Sequence, residues 1–261
     1  MIVMPGNNTG KNVKKLWEMY PGKLGAMISV RAGGGDGWSN VAVENVPYAI
    51  DNGRYAACIH QREWSRDSFL RLLEKASKAE RSPLFITVPD VVGSAAQTLD
   101  EWEVWTADKS FNSFGFPLAF VAQDGISVDD IPDAADVVFI GGTPSWKKKM
   151  IWPVCQRFQD VHVGGINTVH GLWLCENCGA ESCDGTGWLR GPERMIGLKQ
   201  YLYRSNMELG QEQMTLFHLW ESETRGGRFI SPDMTSSEAS RLETYVERGI
   251  TTHAISPNPT P

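Results

Sequence analysis

The chain has 261 residues, 41% of them hydrophobic, and a formal net charge of −6 at pH 7. This length suits one large α/β barrel or two small domains, and the acidic balance excludes a protein that coats nucleic acid nonspecifically. No apolar run approaches the ~18 residues of a membrane span and no signal-peptide pattern is visible, so we expect a cytoplasmic protein without a membrane partner. The five cysteines, an odd number in a large chain, favour a reducing compartment over a disulfide scaffold.

Short apolar segments alternate with helical patterns along most of the chain. Eight segments are predicted strands, at residues 1–4, 25–30, 46–50, 84–88, 117–122, 136–140, 161–163 and in the run that ends at Cys183. Ser65 is predicted to cap one intervening helix and Pro144 to start another. Because short connections between alternating strands and helices are typical of parallel sheets, we predict a (β/α)8 TIM-like barrel over residues 1–190. An open doubly wound sheet is the alternative.

The remaining residues show helical patterns only. Helices are predicted near residues 195–205 and 214–220, and a third begins at the capping box Thr235-Ser236-Ser237-Glu238 and ends at Gly249. We therefore predict that residues 191–261 form a helical extension packed on the barrel.

Several predicted strands end in a polar residue or a glycine. The residues at these C-terminal ends are Asp51, Asp90, Gln123, Gly141, Gly142 and Asp184. In a barrel and in an open sheet alike, these ends meet at the edge where ligands bind. Asp184 alone, followed by Gly-Thr-Gly, fits a turn or a helix cap as well as a catalytic acid. Several other predicted strands end in the same way, however, and this favours one shared site.

The residue types at this edge limit its chemistry. Metal hydrolases on barrels usually gather several histidines, whereas only His162 lies near a strand end here, and we expect it to be packed or to stand behind the site. A carboxylate pair could serve a glycosidase, or exchange or hydrolysis at an N-glycosidic bond. The third acid, the amide and the glycines suit the edge of a planar heterocycle. We expect no metal and no redox cofactor.

Five short segments resemble motifs of the tRNA-guanine transglycosylase superfamily, and more closely those of its phage and bacterial relatives that insert 7-deazaguanines into DNA. They are Ile50-Asp51-Asn52-Gly53, Pro89-Asp90, Phe120-Val121-Ala122-Gln123, Gly141-Gly142 and Cys183-Asp184. Asn52 stands where serine is usual in the family. The resemblance spans about residues 45–190 and depends on the order and spacing of the motifs.

This resemblance implies a role for each motif. Asp184 would attack the sugar C1′ to form a covalent intermediate, and Asp51 would carry the proton of the leaving or incoming base. The purine-like base would be held by Asp90, Gln123, the backbone of Gly141 and Gly142, and Asn52. The implied host is a bacterial or phage-infected cell.

The chain also departs from the tRNA enzymes. They carry a Cys-x-Cys-x2-Cys zinc motif after the nucleophile, and no cysteine follows Asp184 here. The cluster of Cys175, Cys178 and Cys183 precedes it, and we interpret these residues as buried thiols with zinc as the alternative. That zinc subdomain is part of what grips tRNA in the family, so its absence favours a different polynucleotide, such as DNA, or a smaller substrate.

Cations beside the double glycine are candidates for contact with nucleic acid. Trp146-Lys147-Lys148-Lys149 could stack a base and pair phosphates, and Arg54 could extend that surface. A solvated helix start is the alternative for the lysines. We expect the lysine run to contribute affinity and little chemistry.

The sequence thus predicts a guanine transglycosylase that inserts a 7-deazaguanine, such as 7-cyano-7-deazaguanine, into DNA. Two alternatives remain open at this point. One is a hydrolytic N-glycosidase, and the other is a catalytically silent barrel that binds nucleic acid.

Overall fold

The computed structural model describes residues 1–6, 11–31 and 35–206. Its centre is a sheet of eight parallel strands. The strands are β1 (Ile2–Pro5), β2 (Ala26–Ser29), β3 (Tyr48–Asp51), β4 (Ile86–Thr87), β5 (Leu118–Ala122), β6 (Val137–Ile140), β7 (Val161–Val163) and β8 (Ser182–Gly185). All eight predicted strands are present, each within a few residues of its predicted bounds.

Helices connect the strands on the outside of the sheet. Those in the described residues are α1 (Lys11–Met19), α2 (Asn40–Asn45), α3 (Arg54–Ile59), α4 (Arg66–Ser77), α5 (Ala95–Ala107), α6 (Lys109–Asn112), α7 (Pro144–Arg157), α8 (Val169–Cys178) and α9 (Pro192–Asn206), with a 3-10 turn at Val128–Asp130. The described helices include none long and apolar enough to cross a membrane.

The strand order shows that the sheet curls into a barrel. Neighbours follow the order β1-β8-β7-β6-β5-β4-β3-β2. The two end strands then meet, because the Gly25 N–H donates to the Val3 carbonyl at 2.9 Å and the Val3 N–H donates to the Lys23 carbonyl at 3.0 Å. The predicted (β/α)8 TIM-like barrel is therefore confirmed, and the open sheet is excluded.

Apolar side chains fill the barrel interior. One cluster joins residues of six strands or strand-flanking segments, namely Met4, Met27, Ala49, Phe85, Ala119, Val121 and Phe139. Because successive side chains of a strand face opposite sides, the alternate residues are left to pack against the helices. The polar residues at the C-terminal ends of the strands lie at one rim of this packed interior, and we call that rim the mouth.

The helix α4 shows how the outer layer is specified. The Ser65 hydroxyl accepts the Ser68 N–H at 3.2 Å, which caps the first turn as predicted. Phe69 and Leu72 lie on the apolar face and are fully buried. Truncating Leu72 to alanine should cost about 2–5 kcal/mol of unfolding free energy.

The helices α2 and α3 were not predicted. Each has six residues, which is too short for an apolar period to stand out. The predicted helix near 195–205 is confirmed within α9. The predicted helices at 214–220 and 235–249 lie outside the described residues, so the rest of the extension stays a prediction.

Candidate active site

The barrel brings the predicted polar residues to the mouth. Asp51 is the last residue of β3 and Asp184 lies inside β8. The charges of Asp184 and Asp90 are close enough to Asp51 to contribute to its raised pKa. Gln123 donates to Asp90 at 2.7 Å. The four residues therefore share one site, although they are up to 133 positions apart in the numbering.

Asp184 is held by donors on the neighbouring strand and its loop. Its Oδ1 accepts the Gly165 N–H at 2.9 Å, and its Oδ2 lies 3.3 Å from Nε2 of His162. Its backbone carbonyl accepts the Ile166 N–H at 2.6 Å. Because Asp184 lies within a strand and its carboxylate contacts groups on the β7 side, it is not a helix cap.

The loop after β7 is braced against the loop after β8. Asn167 accepts the Gly187 N–H at 2.6 Å, and its own amide donates to the Gly165 carbonyl at 3.1 Å. Gly165 has a φ of 72°, a left-handed conformation that favours glycine. This bracing fixes the N–H that points at Asp184.

Asp51 has a different environment. Its surroundings in the mouth replace most of its hydration, and this desolvation raises the pKa of Asp51 to about 6, with smaller contributions from the charges of Asp184 and Asp90. Hydrogen bonds with the Ser29 side chain and the Gly53 backbone oppose the rise in the Asp51 pKa. Asp51 can therefore hold or release a proton near neutral pH.

Asp90 is the centre of a buried hydrogen-bond network. Its Oδ1 accepts from the Asn52 amide at 3.0 Å, and its Oδ2 accepts from the Gln123 amide at 2.7 Å. The Gln123 carbonyl oxygen in turn accepts the Gly93 N–H at 3.1 Å. Burial raises the pKa of Asp90, while the two amides lower it. The network fixes the orientation of both the carboxylate and the Gln123 amide.

Asn52 and Arg54 support Asp90 from within the protein. Asn52 is buried and donates its two amide hydrogens to Asp90 and to the Val88 carbonyl at 3.1 Å. The Arg54 guanidinium donates to the Asp90 carbonyl at 3.0 Å and pairs with Glu101 at 3.0 Å. Predicted contacts of Asn52 with substrate, or of Arg54 with nucleic acid, would require these bonds to rearrange.

The double glycine lies half-buried beside this network. Gly142 has a φ of 71°, which a side chain would strain. A Cβ on Gly141 would stand 3.1 Å from Nε2 of Gln123. The Thr143 that follows binds Asp124 through its N–H at 2.7 Å and its hydroxyl at 2.5 Å. The missing side chains make room for Gln123, Asp124 and Trp146, which pack where the Cβ atoms of residues 141 and 142 would stand.

The three lysines of α7 do not share one environment. Lys147 turns inward and donates to the Gly164 carbonyl at 2.6 Å. Burial lowers the pKa of Lys147, against the attraction of the Asp184 carboxylate. Lys148 and Lys149 are exposed, and Trp146 is partly buried. Lys147 faces the Asp184 side of the mouth, apart from Lys148 and Lys149, and contact of the run with nucleic acid stays a prediction.

The cysteine cluster is buried, as predicted. Cys175, Cys178 and Cys183 are free thiols, and burial raises the pKa of each, in Cys178 to about 12. Within residues 1–6, 11–31 and 35–206, no group of three or more histidine, cysteine or acidic side chains is arranged to hold a metal ion.

Sequence patterns missed the groups that hold the two acids and the His162 ring. Ser29, Gly165 and Ser182 were not predicted, and His162 was expected only to be packed or behind the site. One signal was available for His162, because a lone polar residue between two valines of a buried strand must face the opposite way from them. No pattern of residue types identifies the backbone N–H of Gly165.

Comparisons with known proteins reveal only weak similarities. No family model and no curated protein matches the chain. The glycerol uptake operon antiterminator regulatory protein of Listeria monocytogenes is 10% identical, with a TM-score of 0.35 over 71% of this chain and 92% of its own. The Amycolatopsis orientalis BexX/CysO complex contains a chain that is 12% identical, with a TM-score of 0.41 over 90% of this chain and 94% of its own. Similarities this weak carry no argument about the fold or the activity of this chain.

Proposed function

We propose that this protein is an enzyme that exchanges bases in a polynucleotide, replacing guanine in DNA with a 7-deazaguanine such as 7-cyano-7-deazaguanine. The observation that carries the proposal is a pair of carboxylates in one mouth with different surroundings. The Gly165 N–H and the His162 ring face Asp184, whereas desolvation raises the pKa of Asp51 to about 6 despite its hydrogen bonds with Ser29 and Gly53. Such a division of environment suits one nucleophile and one proton carrier.

The first displacement would release guanine. An oxygen of the Asp184 carboxylate forms a bond to C1′ while the bond from C1′ to N9 breaks. The electron pair of that bond goes to the guanine, which takes a proton from the Asp51 carboxyl group. The sugar is then esterified to Asp184, and Asp51 is a carboxylate.

The second displacement would insert the new base. Asp51 takes the N9 proton of the incoming 7-deazaguanine, and N9 attacks C1′. The bond from C1′ to the Asp184 oxygen breaks, which restores the carboxylate. Both acids end in their starting states, so the exchange needs no redox partner.

The Asp90 network would read the base. A carboxylate has acceptor positions beyond the two that Asn52 and Gln123 fill, so Asp90 can also accept the N1–H and 2-amino hydrogens of a guanine edge. Gln123 retains one amide hydrogen for a base acceptor. The Gly141-Gly142 backbone lies beside the Gln123 amide and would complete this base site.

Nucleic acid would approach over the exposed start of α7. Lys148 and Lys149 are exposed there, and Trp146 offers a ring for stacking. A base inside a duplex would have to flip out, at a cost of a few kcal/mol.

A hydrolytic N-glycosidase is the second candidate. The same raised pKa of Asp51 that suits a 7-deazaguanine N–H would let its carboxylate take a proton from water. Water would then attack C1′ of the Asp184 ester, and the base would not be replaced.

One assay separates these activities. Guanine-containing DNA is incubated with the protein and labelled guanine or 7-cyano-7-deazaguanine, and the nucleosides are analysed by mass spectrometry after digestion. We expect incorporation by the wild type and none by Asp184→Asn, with Asp136→Asn as the matched control at the opposite end of the barrel. Guanine release without incorporation would indicate the hydrolase. DNA binding without either reaction would indicate a silent binding barrel.

A further inference from the structure

His162 lies inside the barrel beneath Asp184. It is the middle residue of β7 and is fully buried. Its ring stacks on Phe139 with centroids 4.6 Å apart and meets the edge of Phe85 at 5.1 Å. A polar ring in such surroundings is costly unless its nitrogen atoms are bonded.

Both ring nitrogens of His162 have partners on β8. Nδ1 lies 2.8 Å from the Ser182 hydroxyl, and Nε2 lies 3.3 Å from Oδ2 of Asp184. The strand register explains this arrangement, because His162 pairs with Ser182. Ser182 and Asp184 are two residues apart, so both side chains face the interior on the same side of β8.

The chemistry of the partners assigns the hydrogens. An ionised carboxylate only accepts, so Nε2 must carry the hydrogen that it shares with Asp184. In a neutral ring Nδ1 is then an acceptor, and the Ser182 hydroxyl donates to it. Ser182 thereby selects the tautomer that can donate to Asp184.

We propose that His162, oriented by Ser182, is a positioning residue that directs the Asp184 carboxylate at its target and stabilises it when it departs. This inference rests on the proposed base exchange. In the second displacement Asp184 must leave C1′ as a carboxylate, and an N–H already aimed at Oδ2 favours that charge. A hydrogen bond to a group whose charge returns in the transition state contributes to rate.

Three variants test this role. His162→Phe keeps a ring of similar size against Phe139 and Phe85 and removes both nitrogens. Ser182→Ala leaves the ring in place and removes the donor that selects the tautomer. The third variant combines both substitutions, and thermal melts of all three confirm that each is folded before rates are compared.

Rates of formation and breakdown of the covalent adduct are then measured in single turnovers. We expect His162→Phe to slow adduct breakdown about 10- to 100-fold, as loss of a hydrogen bond to a charged group does, with little change in DNA affinity. Ser182→Ala should slow the same step less. Adding Ser182→Ala to His162→Phe should change nothing further, because the serine acts through the ring. Normal adduct formation and breakdown in His162→Phe would overturn the proposal.

A spectroscopic measurement separates this inference from the exchange activity itself. The imidazole 15N shifts of His162 should show hydrogen on Nε2 and an acceptor at Nδ1 in the wild type, and should change in Ser182→Ala and Asp184→Asn. Hydrogen on Nδ1 in the wild type would refute the positioning role, whether or not the protein exchanges bases. A wild type with the expected shifts but without exchange would refute the proposed function and, with it, the catalytic part of this inference.

Discussion

The two sides of the mouth place the same functional group in different surroundings. On the β7–β8 side, the Asp184 carboxylate faces the Gly165 N–H and the His162 ring, with the Lys147 ammonium nearby. On the β3–β5 side, burial raises the pKa of both Asp51 and Asp90. The difference teaches that the surroundings, and not the residue type, separate a group suited to attack from one suited to carry a proton.

The largest expected effect comes from removing the anion on the β7–β8 side. Asp184→Asn keeps the size of the side chain and a carbonyl oxygen for the Gly165 N–H but cannot attack C1′. We expect exchange to fall by roughly 10⁴-fold or more and no denaturation-resistant adduct with DNA to form, while the protein still folds at a cost of about 1–3 kcal/mol of unfolding free energy, because one of the two N–H groups that face Asp184 loses its acceptor. An adduct in wild-type yield would move the nucleophile to another residue, with Asp51 and Asp90 the next candidates.

A smaller effect should come from the β3–β5 side. Asp51→Asn removes the proton carrier and leaves the nucleophile, so some adduct should still be trapped, formed more slowly because the leaving guanine lacks its proton donor, while turnover falls about 10²- to 10⁴-fold. Denaturing gels that quantify adduct, together with steady-state rates, check this. Full exchange activity in Asp51→Asn would show that the two sides are not divided as we infer.

The burial of Asp51 should also be visible in stability. Its pKa of about 6, against an ordinary 3.8, means that between these values the folded protein holds a proton that the unfolded chain has lost. This contribution therefore lowers the free energy of unfolding as pH rises through that window and stays constant above it. Asp51→Asn has no carboxyl group to ionise in the folded protein. Its free energy of unfolding relative to wild type should therefore rise between about pH 4 and pH 7, by on the order of 2–3 kcal/mol at most. Denaturant titrations of both proteins at the two pH values measure this difference in free energy of unfolding. A difference that does not change with pH would contradict the prediction.

The smallest effects should distinguish the lysines of α7. Lys147→Met removes the buried cation near Asp184 and should lower the rate at saturating DNA by about tenfold, with a small change in affinity. The double variant Lys148→Ala and Lys149→Ala should instead weaken DNA binding and reduce the salt slope by up to about 0.9 for each lost phosphate contact, while the saturated rate stays near wild type. The same response from both variants would mean that the inward turn of Lys147 has no catalytic consequence.

Most of the barrel could be predicted because its strands are short, apolar and regularly spaced. The helices α2 and α3 could not, since six residues show too little of a helical period. In the site, Asp51, Asp90, Gln123 and Asp184 were found from their positions at strand ends. Their partners were not, because Ser29, Gly165 and Ser182 are ordinary residues that become significant only beside those side chains.

The sequence by itself determined which residues would stand at the mouth, because in a parallel barrel chain direction places every strand's C-terminal end on one side. Only the tertiary structure decided which groups each of these residues contacts at the mouth. The contact of His162 with Ser182 and Asp184 depends on the register between β7 and β8. The inward course of Lys147 depends on the loop that follows β7. The raised pKa of Asp51 arises from the protein around it, since desolvation depends on neighbours that are distant along the chain.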